Sequence, residues 1–123
     1  MNKKLKKRAT GAIGRYLDLM GYETLEANWR HGDDKVDYII DDMGCVAFVF
    51  GRVRSNLGVG IPDESVDRKA FERLAAAYFA EHPELADCPV RADAVSLLVL
   101  SDNRALIRHH KDALSACGLD LRP

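Results

Sequence analysis

The chemistry within reach of this chain depends on which reactive side chains stand together. The three cysteines, Cys45, Cys88 and Cys117, are far apart and form no CxxC pair. That spacing suits neither a disulfide framework nor a zinc site, and free thiols in a reducing compartment are expected. Of the four histidines, His31 and His82 stand alone. His109 and His110 are neighbours, which point in different directions on a strand or a helix. No metal site is read from them.

The basic residues say more. Lys3, Lys4, Lys6, Lys7 and Arg8 form an N-terminal cluster over residues 1–8. Arg52 and Arg54 fall on one face of an extended segment that leads into a glycine-rich stretch. With Lys35 these cations can build a phosphate-binding surface. Arg68 and Lys69 extend it, and Asp63, Glu64 and Asp67 dilute it. The plain alternative is a solvated helix start and two exposed arginines at a strand end. The net charge of −1 excludes a uniformly polycationic binder.

Elements that must position these groups are legible in the hydrophobic pattern. Leu5, Ala9, Ala12, Ile13, Tyr16, Leu17 and Met20 recur at helical spacing. They predict a helix from Lys3 to Met20 that Gly21 ends. Strands are predicted over Glu23 to Trp29, Lys35 to Asp41 and Cys45 to Arg52, with turns at His31 to Asp34 and Asp41 to Gly44. Short connections imply an antiparallel meander. The third strand is apolar from Cys45 to Phe50, so it belongs at the centre. Ser55 to Ile61 reads as a mobile loop and Pro62-Asp63-Glu64 as a helix start. Val66, Ala70, Phe71, Leu74, Ala75, Tyr78 and Phe79 line one face of that helix, which ends near His82 and Pro83. Ala92 to Leu100 is a second apolar strand, reached by a helical crossover and therefore expected parallel to the third. Ala105 to Ile107 reads as a short strand and His110 to Cys117 as a short final helix.

The class is thus α/β, with an α-β-β-β-α-β core and a mixed sheet flanked by helices. At 123 residues, 47% hydrophobic and 30% charged, one globular domain spanning 1–123 is expected. No apolar run approaches the roughly 20 residues that span a bilayer. A cytoplasmic location and no membrane contact are expected.

Several segments together resemble the YraN-like family of small bacterial proteins. Tyr16-Leu17 with Gly21-Tyr22 resembles the end of the family's first helix, and Asn28-Trp29-Arg30 its Asn-x-Arg. Asp34-Lys35-Val36-Asp37-Tyr38-Ile39 falls where the family has Gly-Glu-Ile-Asp-Leu-Ile. Phe48-Val49-Phe50-Gly51-Arg52 falls where it has Phe-Val-Glu-Val-Lys. Arg91-Ala92-Asp93-Ala94-Val95 resembles Arg-Phe-Asp-Val-Val, and Ile107-Arg108-His109 resembles Ile-x-His. The resemblance runs from about residue 8 to residue 114. It implies the restriction-endonuclease-like PD-(D/E)XK fold and a relation to Holliday-junction resolvases. In such nucleases carboxylates hold Mg²⁺ or Mn²⁺ and a lysine assists the attacking water.

The departures fall on that chemistry. Asp37 keeps the first carboxylate, but Phe50 replaces the second and offers no lone pair. Arg52 replaces the lysine and stays protonated, so it can bind phosphate but not act as a base. Lys35 stands where the family has Glu, and Thr10 where its first helix has an acid. Fewer oxygen ligands and more positive charge both disfavour a hard cation. The expectation is therefore a pseudo-nuclease with no catalytic residue and no cofactor. Asp37, Phe50, Arg52 and Lys35 are its relict positions, and Arg52, Arg54, Lys35, Arg30 and Lys69 its nucleic-acid contacts. Its partner would be DNA or RNA, branched or single-stranded. One alternative is a protein-interaction or structural module. Another is a divergent Mg²⁺ or Mn²⁺ nuclease that uses Asp37 with Asp33 or Asp34. Trp29, the sole tryptophan, can stack on a base or simply pack.

Overall fold

The computed structural model describes residues 3–55 and 65–114. Helix α1 spans Lys3–Leu19 and buries Ala9, Ile13 and Leu17, the stripe that its periodicity marks. Gly21, at φ +90°, turns the chain out of the helix. Strands β1 (Glu23–His31), β2 (Asp34–Asp42) and β3 (Cys45–Arg54) follow, then helix α2 (Arg68–Glu81). After a short 3₁₀ turn at Pro83–Leu85 come β4 (Val90–Ser101) and β5 (Arg104–His110). This is the α-β-β-β-α-β order expected, with β5 as an addition.

The five strands form one sheet in sequence order. β3 and β4 pair in parallel, as a helical crossover requires, and the other neighbours are antiparallel. α1 covers one face, over Ile40, Ala47, Val49, Val95 and Leu97. α2 covers the other, where Leu74 and Tyr78 meet Val36, Ile39, Val46, Phe48 and Phe50. With both faces covered, Val46 to Phe50 are all buried. Trp29 joins the α2 side, with its ring edge-on to Tyr78 at 5.3 Å between centroids. It is a packing residue in this fold.

Three expectations need correction. α2 begins at Arg68, because Asp67 caps it by accepting from the backbone N–H groups of Lys69 and Ala70. Val66 therefore precedes the helix, and Pro62-Asp63-Glu64 lie outside the described residues, as does most of the expected loop 55–61. Second, His110 ends β5, and residues 111–114 form a turn instead of a helix. Register explains this, since β5 stays paired to β4 as far as Ala94 opposite His110. The remainder of the expected helix, with Cys117, lies outside the described residues. Third, Ala105 to Ile107 is only part of β5, which runs from Arg104 to His110.

Candidate nucleic-acid interface

A strand alternates its side chains between faces, and β2 breaks that rule at one place. Val36 and Ile39 belong to the α2-side core, whereas Tyr38 and Ile40 face α1. Asp37 also lies on the α1 side, close to the position a Cβ on Gly51 would take beside Ile13. Two successive residues, Asp37 and Tyr38, thus share a face, as at a β-bulge. Opposite them on β1, Asn28 sits at φ +53°. The β2–β3 ladder runs from Asp42 and Cys45 to Tyr38 and Val49. Beyond it the Asp37 carboxylate accepts the Gly51 N–H at 2.7 Å. Tyr38 is held on this side by its hydroxyl, which donates to the Thr10 carbonyl at 2.9 Å.

This kink opens a cleft of about 500 Å³ between α1 and the β1–β2 edge. Lys3, Lys6, Lys7, Thr10 and Gly11 line it from the helix, and Ala27, Asn28, Lys35, Asp37 and Tyr38 line it from the strands. Lys35 Nζ lies 3.8 Å from an Asp37 carboxylate oxygen. Arg30, exposed, is paired in register with Lys35 at the cleft's rim.

The other relict positions lie elsewhere. Phe50 is only 6% exposed and packs in the α2-side core. Arg52 follows it on that side and donates to the carbonyls of Gly51 and Ser65, at 3.1 Å each. Arg54, by alternation, and Lys69, in the first turn of α2, belong to the same side. The expected patch is therefore two groups on opposite faces: Lys35 and Arg30 with the N-terminal lysines, and Arg52, Arg54 and Lys69 near the start of α2. Asp37 and Phe50, neighbours in the aligned motif, are separated by the sheet.

The residues around Asp37 do not fit a divalent cation. One carboxylate oxygen is taken by the Gly51 N–H and the other faces the Lys35 ammonium. Asp34 is spent on Arg73, which grips it bidentately at 2.7 and 2.9 Å. No group of three or more histidine, cysteine or acidic side chains gathers to hold a metal among the described residues.

A second polar cluster escaped the sequence reading of function. Asp93 lies on β4 with 0% exposure. Its Oδ1 accepts from Arg91 Nε at 2.8 Å and the Asp112 N–H at 2.9 Å. Its Oδ2 accepts from Arg91 Nη2 at 3.1 Å and His109 Nε2 at 2.8 Å. Because an ionised carboxylate only accepts, Nε2 carries a ring proton, and Nδ1 lies 3.0 Å from the Tyr16 hydroxyl. Arg91 also reaches Asp42 at 2.9 Å. Burial pushes the Asp93 carboxyl up, but the bonds from His109, Arg91 and Asp112 outweigh it and hold it below its ordinary range. Burial likewise opposes the charge on Arg91, yet Asp93 and Asp42 raise it above the usual arginine value. The cluster ties α1, β2, β4 and β5 together and is structural. One signal was available in the sequence: Arg91 and Asp93 stand two apart as the only charged residues of an otherwise largely apolar strand.

The five-stranded mixed sheet, with a helix on each face and the order α-β-β-β-α-β, defines the class as α/β. The sequence pattern of the uncharacterised protein family UPF0102 matches residues 11–97. A UPF0102 protein of Beutenbergia cavernae is 37% identical over 111 residues, covering 84% of this chain and 93% of the relative. One from Trichlorobacter lovleyi is 30% identical over 115 residues, covering 86% and 90%. One from Acetivibrio thermocellus is 35% identical over 100 residues, covering 74% and 76%. The chain belongs to UPF0102, the YraN-like family its motifs resemble. No helix among the described residues is long and apolar enough to cross a membrane.

Proposed function

We propose that this chain binds the phosphates of single-stranded or branched nucleic acid in the α1-side cleft and does not cleave through the ancestral motif. The observation that carries this reading is the convergence of Lys3, Lys6, Lys7 and Lys35 on one cleft in which Asp37 is the sole acidic lining residue among the described residues. The cations flank the backbone kink at Asp37, the relict acid that lines this cleft. Lys35 neutralises the remaining relict acid, so the cleft favours anions. Arg52 is a weaker contributor than the aligned motif suggests, because its guanidinium already serves two backbone carbonyls.

Fluorescence anisotropy with a labelled single strand, a duplex and a four-way junction, over a salt series, tests this. Four phosphate contacts predict a slope of log affinity against log salt of about −3 on a single strand. That is about a fiftyfold loss between 50 and 200 mM salt. Replacing Lys6 and Lys7 with alanine should roughly halve the slope. No salt-dependent affinity for any of the three would refute the reading and leave a protein-interaction module. Incubation with the same substrates in Mn²⁺ should give no cleavage. Cleavage that disappears in Asp37→Ala would overturn the non-catalytic half.

A further inference from the structure

Helix α1 carries a second group of cations, away from the lysine cleft. Arg8 and Arg15 border the helix face on which Leu5, Ala9 and Ala12 recur. That face does not close fully on the sheet where β4 turns into β5. A cavity of about 220 Å³ remains there, on the opposite flank of α1 from the lysine cleft. Its floor is apolar: Ala9 and Leu97 are buried, and Leu5, Ala12 and Val99 are half-buried. Its rim is polar. Arg8 and Arg15 line it from the helix and Arg104 from the start of β5, with Asp102 and Asn103 in the turn between the strands.

The rim offers donors that the fold leaves open. Arg8 Nη2 donates to the Asp102 carbonyl at 3.2 Å, which fixes the guanidinium against the turn and leaves its other N–H groups to donate. The Ser101 hydroxyl donates to Asn103 Oδ1 at 3.4 Å, so the Asn103 NH₂ keeps both of its donors. Arg15 folds back over Gly11, with Nη1 3.6 Å from the position a Cβ there would take. Neither Arg15 nor Arg104 forms an ion pair among the described residues. Three cations thus meet a single acid, Asp102, which leaves an excess of two positive charges among the described lining residues. We infer that this cavity binds a phosphate monoester carried on a compact apolar or aromatic group. Such a phosphate holds about −1.5 to −2 charges near neutrality and presents three acceptor oxygens, which answers that excess. A carboxylate would leave one cation unanswered. The planar arginine forks suit phosphate oxygens, and the apolar floor takes the organic group. The volume falls below the roughly 300–1,000 Å³ of pockets for drug-sized ligands, so one ring system fits inside with the phosphate at the rim. A free nucleotide and the phosphorylated end of a strand share this chemistry.

Isothermal titration calorimetry of the full chain with phenyl phosphate at low salt tests this. Saturable binding at one site is expected, and phenol at the same concentrations should give none. Arg104→Ala should weaken binding by about tenfold or more, because charge-assisted hydrogen bonds to the phosphate are lost. Asp102→Asn should tighten it, since the change removes the one repelling acid and keeps the carbonyl that holds Arg8. Lys6→Ala combined with Lys7→Ala should leave it within about twofold, because those lysines line the other cleft. All four substituted side chains are exposed, so each variant should fold. Absence of saturable binding overturns the inference. So does an undiminished affinity in Arg104→Ala, a weakened one in Asp102→Asn, or one that falls with the lysine pair instead. Thymidine monophosphate and a thymidine oligonucleotide bearing a 5′-phosphate then distinguish the two sources, the tighter binder naming the ligand. The same oligonucleotide without its terminal phosphate reads the lysine cleft alone, so either reading can fail while the other stands.

Discussion

Asp93→Asn isolates the buried cluster, because it keeps the side chain's shape and removes only its charge. The carboxylate takes four donors, two on each oxygen. The amide has one acceptor oxygen, and its NH₂ must face the other two. If the oxygen stays with Arg91 Nε and Asp112, the NH₂ meets Arg91 Nη2 and His109 Nε2. His109 can adapt by moving its proton to Nδ1, since the Tyr16 hydroxyl can accept there. Arg91 cannot adapt. Breaking a buried ion pair by removing one partner costs about 3–5 kcal/mol. Arg91 retains Asp42 at 2.9 Å, which places this case near the low end. A loss of about 3 kcal/mol corresponds to roughly 10–15 °C in Tm for a chain of this size. Urea and thermal unfolding measure it, with the exposed Asp87→Asn as a control that should stay within about 0.5 kcal/mol. A loss below about 1 kcal/mol for Asp93→Asn would refute the view that this cluster holds α1 and the strands together.

The same cluster sets an acid limit. The carboxyls of Asp93 and Asp42 are both held below their ordinary value, so the stability they contribute is complete above about pH 4 and is lost as pH falls toward their folded pKa values. A stability profile in urea should be flat near neutrality and fall below that point, and an unchanged acid limb in Asp93→Asn would contradict this source. Phe50→Glu, which restores the family's acid, should cost about 3 kcal/mol or more and confer no Mn²⁺-dependent cleavage, because position 50 lies in the α2-side core. A stable variant that cleaves would show that Phe50 faces a usable site. Gly14→Ala should destabilise by about 1–3 kcal/mol despite its better helix propensity, since the new methyl would stand 2.6 Å from the Tyr38 hydroxyl oxygen. A stabilised Gly14→Ala would mean that α1 does not approach β2 so closely.

Most of the fold was legible because its pattern is local. The α1 stripe of Ala9, Ile13 and Leu17 and the apolar run of β3 each have one physical reading. The parallel pairing of β3 with β4 followed from the helical crossover. The candidate site was less legible, since it depends on one break in alternation. Strict period two would place Asp37 on the same face as Ile39. The kink at Asp37 and Tyr38 reverses this, and nothing in the local residue types announces it. The separation of Lys35 from Arg52 follows from that kink and from the sheet's two covered faces. The bond that His109 makes is not legible, because a histidine beside another carries no spacing signal. Its partner Asp93 is sixteen residues earlier on the neighbouring strand.

The bond from the Gly51 N–H to Asp37 also bears on amide hydrogen exchange. Amides inside the β2–β3 ladder are released when strands separate, a collective event. The Gly51 amide is guarded by one side chain, so a single rotation of Asp37 frees it while the sheet stays whole. Its exchange should therefore be faster than that of the β3 amides before it. Removing the Asp37 carboxylate should quicken it further and leave those neighbours nearly unchanged. A nuclear magnetic resonance probe on this one amide would thus report the opening of the cleft floor separately from the unfolding of the protein.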